Sequence, residues 1–119
     1  MTGPKTRNPA RDSSSRLGTR DPFTEKVVKL IRRIPRGQVA TYGQIAVMAG
    51  NAYASRQVAR LLHSLSGKER LPWHRVINSH GTISLQGEAG ERQQTLLERE
   101  GVEFGLFGKV DLARFLWPG

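Results

Sequence analysis

Up to Leu71 the apolar residues of this chain recur at three- and four-residue intervals; directly beyond Pro72 they fall into short runs. The first pattern fits helices with one buried face, and the second fits short strands. Asp21-Pro22 offers a capping carboxylate followed by a proline suited to a first helical position. Phe23, Val27, Leu30, Ile31 and Ile34 then form one apolar stripe, which Pro35 ends before a turn at Arg36-Gly37. Thr41 and Gln44 fit a capping box opening a second helix, with Ile45 and Met48 facing inward and Gly50 as its left-handed stop. After a short turn, Asn51-Ala52-Tyr53, a third helix is predicted over about 54–65, with Val58, Leu61, Leu62 and Leu65 on one face and Gly67 closing it. Two helices joined by a tight turn, the second one basic, predict a helix-turn-helix.

Beyond Pro72, Arg75-Val76-Ile77 and Thr82-Ile83-Ser84 flank the turn Asn78-Ser79-His80-Gly81 and predict a β-hairpin. The expected fold is therefore mostly α with a small β-hairpin, a winged-helix-like helix-turn-helix domain. A polar helix carrying Leu96 and Leu97 is expected over 91–100, stopped by Gly101. Val102-Glu103-Phe104 reads as extended, and Asp111 as the cap of a last short turn running from Leu112 to Leu116. Residues 1–20, with Pro4, Pro9, a serine run and hardly any large apolar residue, predict a disordered basic tail. The tail could add phosphate attraction or could be a leader foreign to the fold. Residues 21–119 are expected to form one domain.

Charge narrows the partner. The net charge is +9, and between 26 and 75 the bases Lys26, Lys29, Arg32, Arg33, Arg36, Arg56, Arg60, Lys68, Arg70 and Arg75 face the single acid Glu69. A small domain this basic fits a polyanion, although a basic protein with no such role has the same composition. The chain has no cysteine, which excludes disulfides, thiolate zinc sites and thiol nucleophiles. His63 and His80 are too isolated to form a metal site. No apolar run is long enough to span a bilayer, and the N-terminus lacks a signal-peptide core. The expected location is cytoplasmic in a bacterium and nuclear in a eukaryote.

One segment carries more information than any composition. Pro72-Trp73-His74-Arg75-Val76 resembles the active-site signature Pro-Cys-His-Arg-Val of the O6-alkylguanine-DNA alkyltransferases, with tryptophan in the cysteine's place. Further motifs follow the family's order: Phe23-Thr24, Ile34-Pro35-Arg36-Gly37, Thr41-Tyr42-Gly43-Gln44-Ile45-Ala46, the helix of Arg56, and Leu96-Leu97 before Glu100-Gly101. The resemblance spans about residues 22–104 and is similar to the family's C-terminal DNA-binding domain. Tryptophan at the cysteine position marks the alkyltransferase-like proteins, which bind the lesion without repairing it. An indole has no titratable group to activate and is a weak nucleophile.

The resemblance implies a partner and roles. The partner is double-stranded DNA containing O6-alkylguanine, with nucleotide excision repair proteins acting afterwards; no cofactor or metal is implied, and the protein acts as a monomer. Tyr42, Trp73 and Val76 would line a lesion pocket. Tyr42, Gln44, Ala54, Ser55, Arg56, Gln57, Ala59 and Arg60 would meet DNA, the small residues letting the third helix enter the minor groove. Arg56 would fill the gap left by a flipped nucleotide. His74 and Glu100, the enzymes' general base and its carboxylate, would remain as a structural pair.

From the residues alone, blander roles stay open. Arg56 could contact phosphate or solvent, Trp73 could be core, and the small residues could serve helix packing. The sequence departs from the family twice: Ser64-Leu65-Ser66-Gly67 stands where an Asn-Pro hinge is usual, and Gln86-Gly87-Glu88-Ala89 where the pocket loop reads Tyr-Ser-Gly-Gly. A regulator reading undamaged operator DNA through a winged helix is the alternative function. A cysteine-free transferase or glycosylase would need Glu88 or Glu100 in the pocket.

Overall fold

The computed structural model describes residues 21–119; the tail expected over 1–20 lies outside the described residues. Helix α1 spans Pro22–Arg33. Asp21 caps it, its carboxylate accepting from the Thr24 N–H at 2.9 Å and from the Thr24 hydroxyl at 3.0 Å. Val27, Val28, Leu30 and Ile31 bury its inner face. Past Pro35 the chain turns through Gly37 and enters β1, Ala40–Thr41.

Helix α2, Tyr42–Met48, starts from the capping box at Thr41 and Gln44, which is present in full. Met48, expected to face inward, is 37% exposed, and Ala49 takes the buried place instead at 4%. The buried arc is centred between Ile45, Ala46 and Ala49, which leaves Met48 at its edge.

Helix α3 runs Ser55–Glu69, one turn beyond the expected end. Gly67 is inside it, and Arg70 ends it in the left-handed region at φ 55°. Two contacts carry the helix through the glycine. Arg32 donates to the Glu69 carbonyl at 2.9 Å and to its carboxylate at 2.8 Å, and Leu71 is buried against the core while its N–H reaches the Ser66 carbonyl at 3.1 Å. Helices α1 to α3, Leu71, Val76 and Trp117 share one core cluster.

The small sheet differs from the expected hairpin. Strand β2, Val76–Ile77, pairs in parallel with β1, Ala40 against Val76 and Thr41 against Ile77. The 78–81 turn does form, the Asn78 N–H reaching the Thr82 carbonyl at 3.2 Å, but Thr82–Ser84 does not continue as a strand. The Asn78 side chain explains this. Its Oδ1 accepts from the Thr82 N–H and hydroxyl and its Nδ2 reaches Ser84, so side-chain bonds replace a ladder. On the other side of β1, Val39 bridges Leu116, and the Trp117 N–H meets the Val39 carbonyl at 2.7 Å. Val39, Ile77, Leu97, Val102, Val110 and Phe115 form a second core cluster beneath.

Helix α4, Gly87–Arg99, begins a turn before the expected 91. Gly90 sits within it, packed so tightly that a Cβ there would run into the Leu85 carbonyl. A one-turn bridge of Phe104 and Val110 follows, then the short helix α5, Leu112–Phe115, capped by Asp111 accepting from the Ala113 N–H at 3.0 Å. The element kinds match a mostly helical domain with a two-stranded sheet. Gly90→Ala should lower stability by about 2 kcal/mol in chemical denaturation, since backbone must move to admit one methyl. Gly43→Ala, where a Cβ meets nothing within 4 Å, should not.

Candidate nucleic-acid interface

Parallel pairing of β1 with β2 brings the start of α2 beside the short 3-10 turn Trp73–Arg75. Tyr42 leaves β1 directly, and Trp73 precedes β2 by three residues, so the ladder sets the two rings on one side of α3. Between them lies a cavity of about 310 Å³ lined by Tyr42, Ala59, Leu62, His63, Ser66, Trp73, Leu85 and Ala89. Four of these, Ala59, Leu62, His63 and Ser66, are spaced three, four and seven apart, one face of α3. A larger, shallower hollow near Leu106 and Phe107 shares none of these residues.

The Trp73 turn is held from behind. The Trp73 N–H donates to the Leu71 carbonyl at 2.8 Å, and the Arg75 N–H to the Pro72 carbonyl at 3.1 Å. The Trp73 and His74 rings meet edge to face, 6.1 Å apart. His74 Nε2 lies 2.7 Å from Glu100 Oε2, and Arg75 spans both carboxylate oxygens at 2.8 to 3.3 Å. Arg75 also donates to the Ile34 carbonyl, and the Gly37 N–H to Glu100 Oε1 at 3.1 Å. Burial of Glu100 alone would raise its pKa; the bonds from Arg75, His74 and Gly37 outweigh that and lower it to about 2. An ionised carboxylate only accepts, so His74 Nε2 carries a hydrogen. Gln93, 2% exposed, donates to the carbonyls of His74 and Val76 at 3.1 and 3.0 Å and fixes the same segment to α4.

The expected site residues divide. Tyr42, Trp73 and Ala59 line the cavity. Burial raises the Tyr42 phenol's pKa, which keeps it a hydrogen-bond donor. Val76 does not line the cavity: it is fully buried as a β2 residue in the first core cluster. Gln44 is half-buried and tied within the chain: its Oε1 takes the Thr41 N–H at 3.3 Å and its Nε2 donates to the Trp117 carbonyl at 2.7 Å. Ala54 is 6% exposed and packs inward where α3 begins. Ser55 and Gln57 are half-buried; Arg56 and Arg60 are exposed and have no ion-pair partner among the described residues. Leu62, His63, Ser66 and Leu85 were not expected at the site. For Leu62, His63 and Ser66 the spacing from Ala59 is the only signal, and it reads equally as a core stripe; Leu85 has none. Among the described residues no group of His, Cys, Asp and Glu is arranged to hold a metal.

Comparison with known proteins gives the site its context. The family described as 6-O-methylguanine DNA methyltransferase, DNA binding domain, matches residues 22–102. A DNA base-flipping protein of Escherichia coli K12 is 45% identical over 97 residues, covering 82% of this chain and 75% of that relative. Alkyltransferase-like protein 1 of Schizosaccharomyces pombe is 43% identical over 104 residues, covering 82% of this chain and 95% of that one. This chain belongs to the alkyltransferase-like proteins. The structure of S. pombe Atl1 in complex with damaged DNA containing O6-carboxymethylguanine superimposes with a TM-score of 0.73 at 40% identity, over 84% of this chain and 98% of Atl1. The alkyltransferase-like frame thus extends through the helix-turn-helix, the Trp73 turn and α4.

Because the Glu100 pKa falls from 4.5 to about 2 on folding, its stabilisation is complete above 4.5 and is lost as pH drops through about 2. Glu100→Gln should cost about 3 kcal/mol at neutral pH. Its stability deficit against the parent should shrink between pH of about 5 and 2 in denaturant titrations; a constant deficit would contradict the assignment.

Proposed function

We propose that this alkyltransferase-like protein recognises O6-alkylguanine in duplex DNA and does not repair it. The observation that carries this reading is Trp73, which stands in a Pro-Xaa-His-Arg-Val frame and lines an apolar cavity, in a chain without cysteine. Relatives named DNA base-flipping protein, and Atl1 crystallised with damaged DNA, support a damage-binding role.

The geometry favours the following sequence. Lys and Arg side chains of the 26–75 segment draw the protein to duplex phosphate and let it scan. The first turns of α3 enter the minor groove, where Ser55 and Ala59 allow close approach and Arg60 meets phosphate. The lesion nucleotide rotates out, at an unstacking cost of a few kcal/mol. Arg56 fills the vacated stack, its flat guanidinium facing the orphaned base. The base enters between Tyr42 and Trp73, which offer stacking and dispersion worth roughly 1–3 kcal/mol per aromatic contact. The Tyr42 hydroxyl donates to the base. His74 and Glu100 brace the Trp73 turn, and with no thiol beside them they have no proton to take.

The bound complex then marks the site for nucleotide excision repair, wherever the cell keeps its DNA, with the protein acting as a monomer. The operator-reading alternative loses support because the hairpin that would serve as its wing is not formed.

In fluorescence anisotropy, duplexes carrying one O6-methylguanine should bind more tightly than unmodified duplexes. Trp73→Ala should reduce that preference about tenfold or more, and Arg56→Ala should weaken lesion binding more than non-specific binding. Incubation with DNA labelled on the alkyl group should leave the protein unlabelled and release no free base. Equal affinity for the two duplexes, or label on the protein, would sink the proposal.

A further inference from the structure

The turn that leads into α3 carries an aromatic ring that the fold does not use. Tyr53 is 97% exposed, yet the backbone around it is held. Its N–H donates to Asn51 Oδ1 at 3.0 Å. The Asn51 N–H reaches the Ala46 carbonyl at 2.9 Å, and the Ala54 N–H the Asn51 carbonyl at 3.1 Å. Ala54, the next residue, is buried in the first core cluster. Asn51 supplies the turn chemistry through its side chain, and nothing in the turn calls for a ring at position 53. The surroundings of Tyr53 point to its partner. It stands two residues ahead of α3 and three ahead of Arg56, and Arg56 and Arg60 are exposed one turn apart. Neither arginine has an ion-pair partner among the described residues, and no acidic residue stands between Glu25 and Glu69. A bare ring beside free cations fits nucleic acid, where cations meet phosphate and rings meet sugar and base.

Resting on the proposed function, we propose that Tyr53 is a wedge: its ring lies against the base step beside the gap that Arg56 fills and holds that step open. Proteins in the minor groove commonly part base steps with bulky apolar side chains, and a tyrosine presents an apolar ring face. A guanidinium entering the stack must shed water and separate the neighbouring pairs. A ring on a fixed mount at the adjacent step shares that work, and its backbone has little freedom left to lose on binding. The contact forms only where the step opens, so it adds to lesion binding and not to the scanning of intact duplex.

The test uses the full chain and duplexes with or without one O6-methylguanine, each carrying 2-aminopurine in turn on either side of that guanine. Tyr53→Ala should bind the lesion duplex about tenfold more weakly than the parent and the unmodified duplex about as well. The 2-aminopurine fluorescence that rises when the parent unstacks the neighbouring step should rise less with Tyr53→Ala, at saturating protein. Tyr53→Phe, which keeps the ring and loses only the hydroxyl, should match the parent in both readouts. The denaturation midpoint of Tyr53→Ala should equal the parent's, since the side chain packs on almost nothing. The inference is overturned if Tyr53→Ala binds the lesion duplex like the parent, or if it weakens both duplexes equally. It is overturned too if Tyr53→Phe behaves like Tyr53→Ala, which would assign the hydroxyl to phosphate. Those results leave the damage-recognition reading standing, whereas a parent that binds the two duplexes equally overturns both.

Discussion

One carboxylate holds together three parts of the chain that are remote in sequence. Glu100 closes α4, accepts from His74 and Arg75 in the turn that carries Trp73, and accepts the N–H of Gly37 in the bend after α1. Its side chain is only 5% exposed. A buried charge is tolerable when its lone pairs are matched by well-placed donors, and here they are. In this chain the strong polarisation serves to keep the Trp73 turn at a set angle to α3. Gln93 reinforces it from two turns earlier in α4.

The cavity is thus built from three differently secured walls. Tyr42 is fixed by a capping box and a two-residue ladder, Trp73 by the Glu100 cluster, and the floor by the regular face of α3. The fourth side, Leu85 and Ala89, depends on the close packing of Gly90 beneath it. The walls are mostly apolar, with few polar side chains among them. In the proposed scheme two tasks are separate: the exposed arginines of α3 would provide grip, and the aromatic rings selectivity.

How much of this was legible in the residues follows from the range of each interaction. Asp21, Thr41 with Gln44, and Asp111 act on backbone two or three residues away, and their caps could be read directly. The end of α3 could not, because Gly67 is overruled by Arg32 and by the burial of Leu71, both dependent on tertiary contacts. The run Val76-Ile77 signalled a strand but not its partner: a nearby turn pointed to Thr82–Ser84, while Ala40–Thr41 won. Val76, placed in the pocket by the resemblance, is instead a buried β2 residue of the first core cluster. Gln44, expected at the DNA, also bonds within the chain through both ends of its amide. Trp73 and Tyr42 were found through resemblance to a family motif. His63 was not expected on the cavity wall, because a histidine among leucines at helical spacing carries no distinguishing mark.

The parallel ladder has a kinetic corollary. Strands running the same way cannot be joined by a tight bend, so the whole helix-turn-helix must be looped out between Thr41 and Val76. Val39 meets Leu116 across a longer loop still. Closing such loops costs entropy before any contact repays it, and chains dominated by distant pairings assemble slowly and late. The cavity between Tyr42 and Trp73 therefore depends on contacts that span most of the domain: a half-assembled chain can present its basic helices before the two rings face each other.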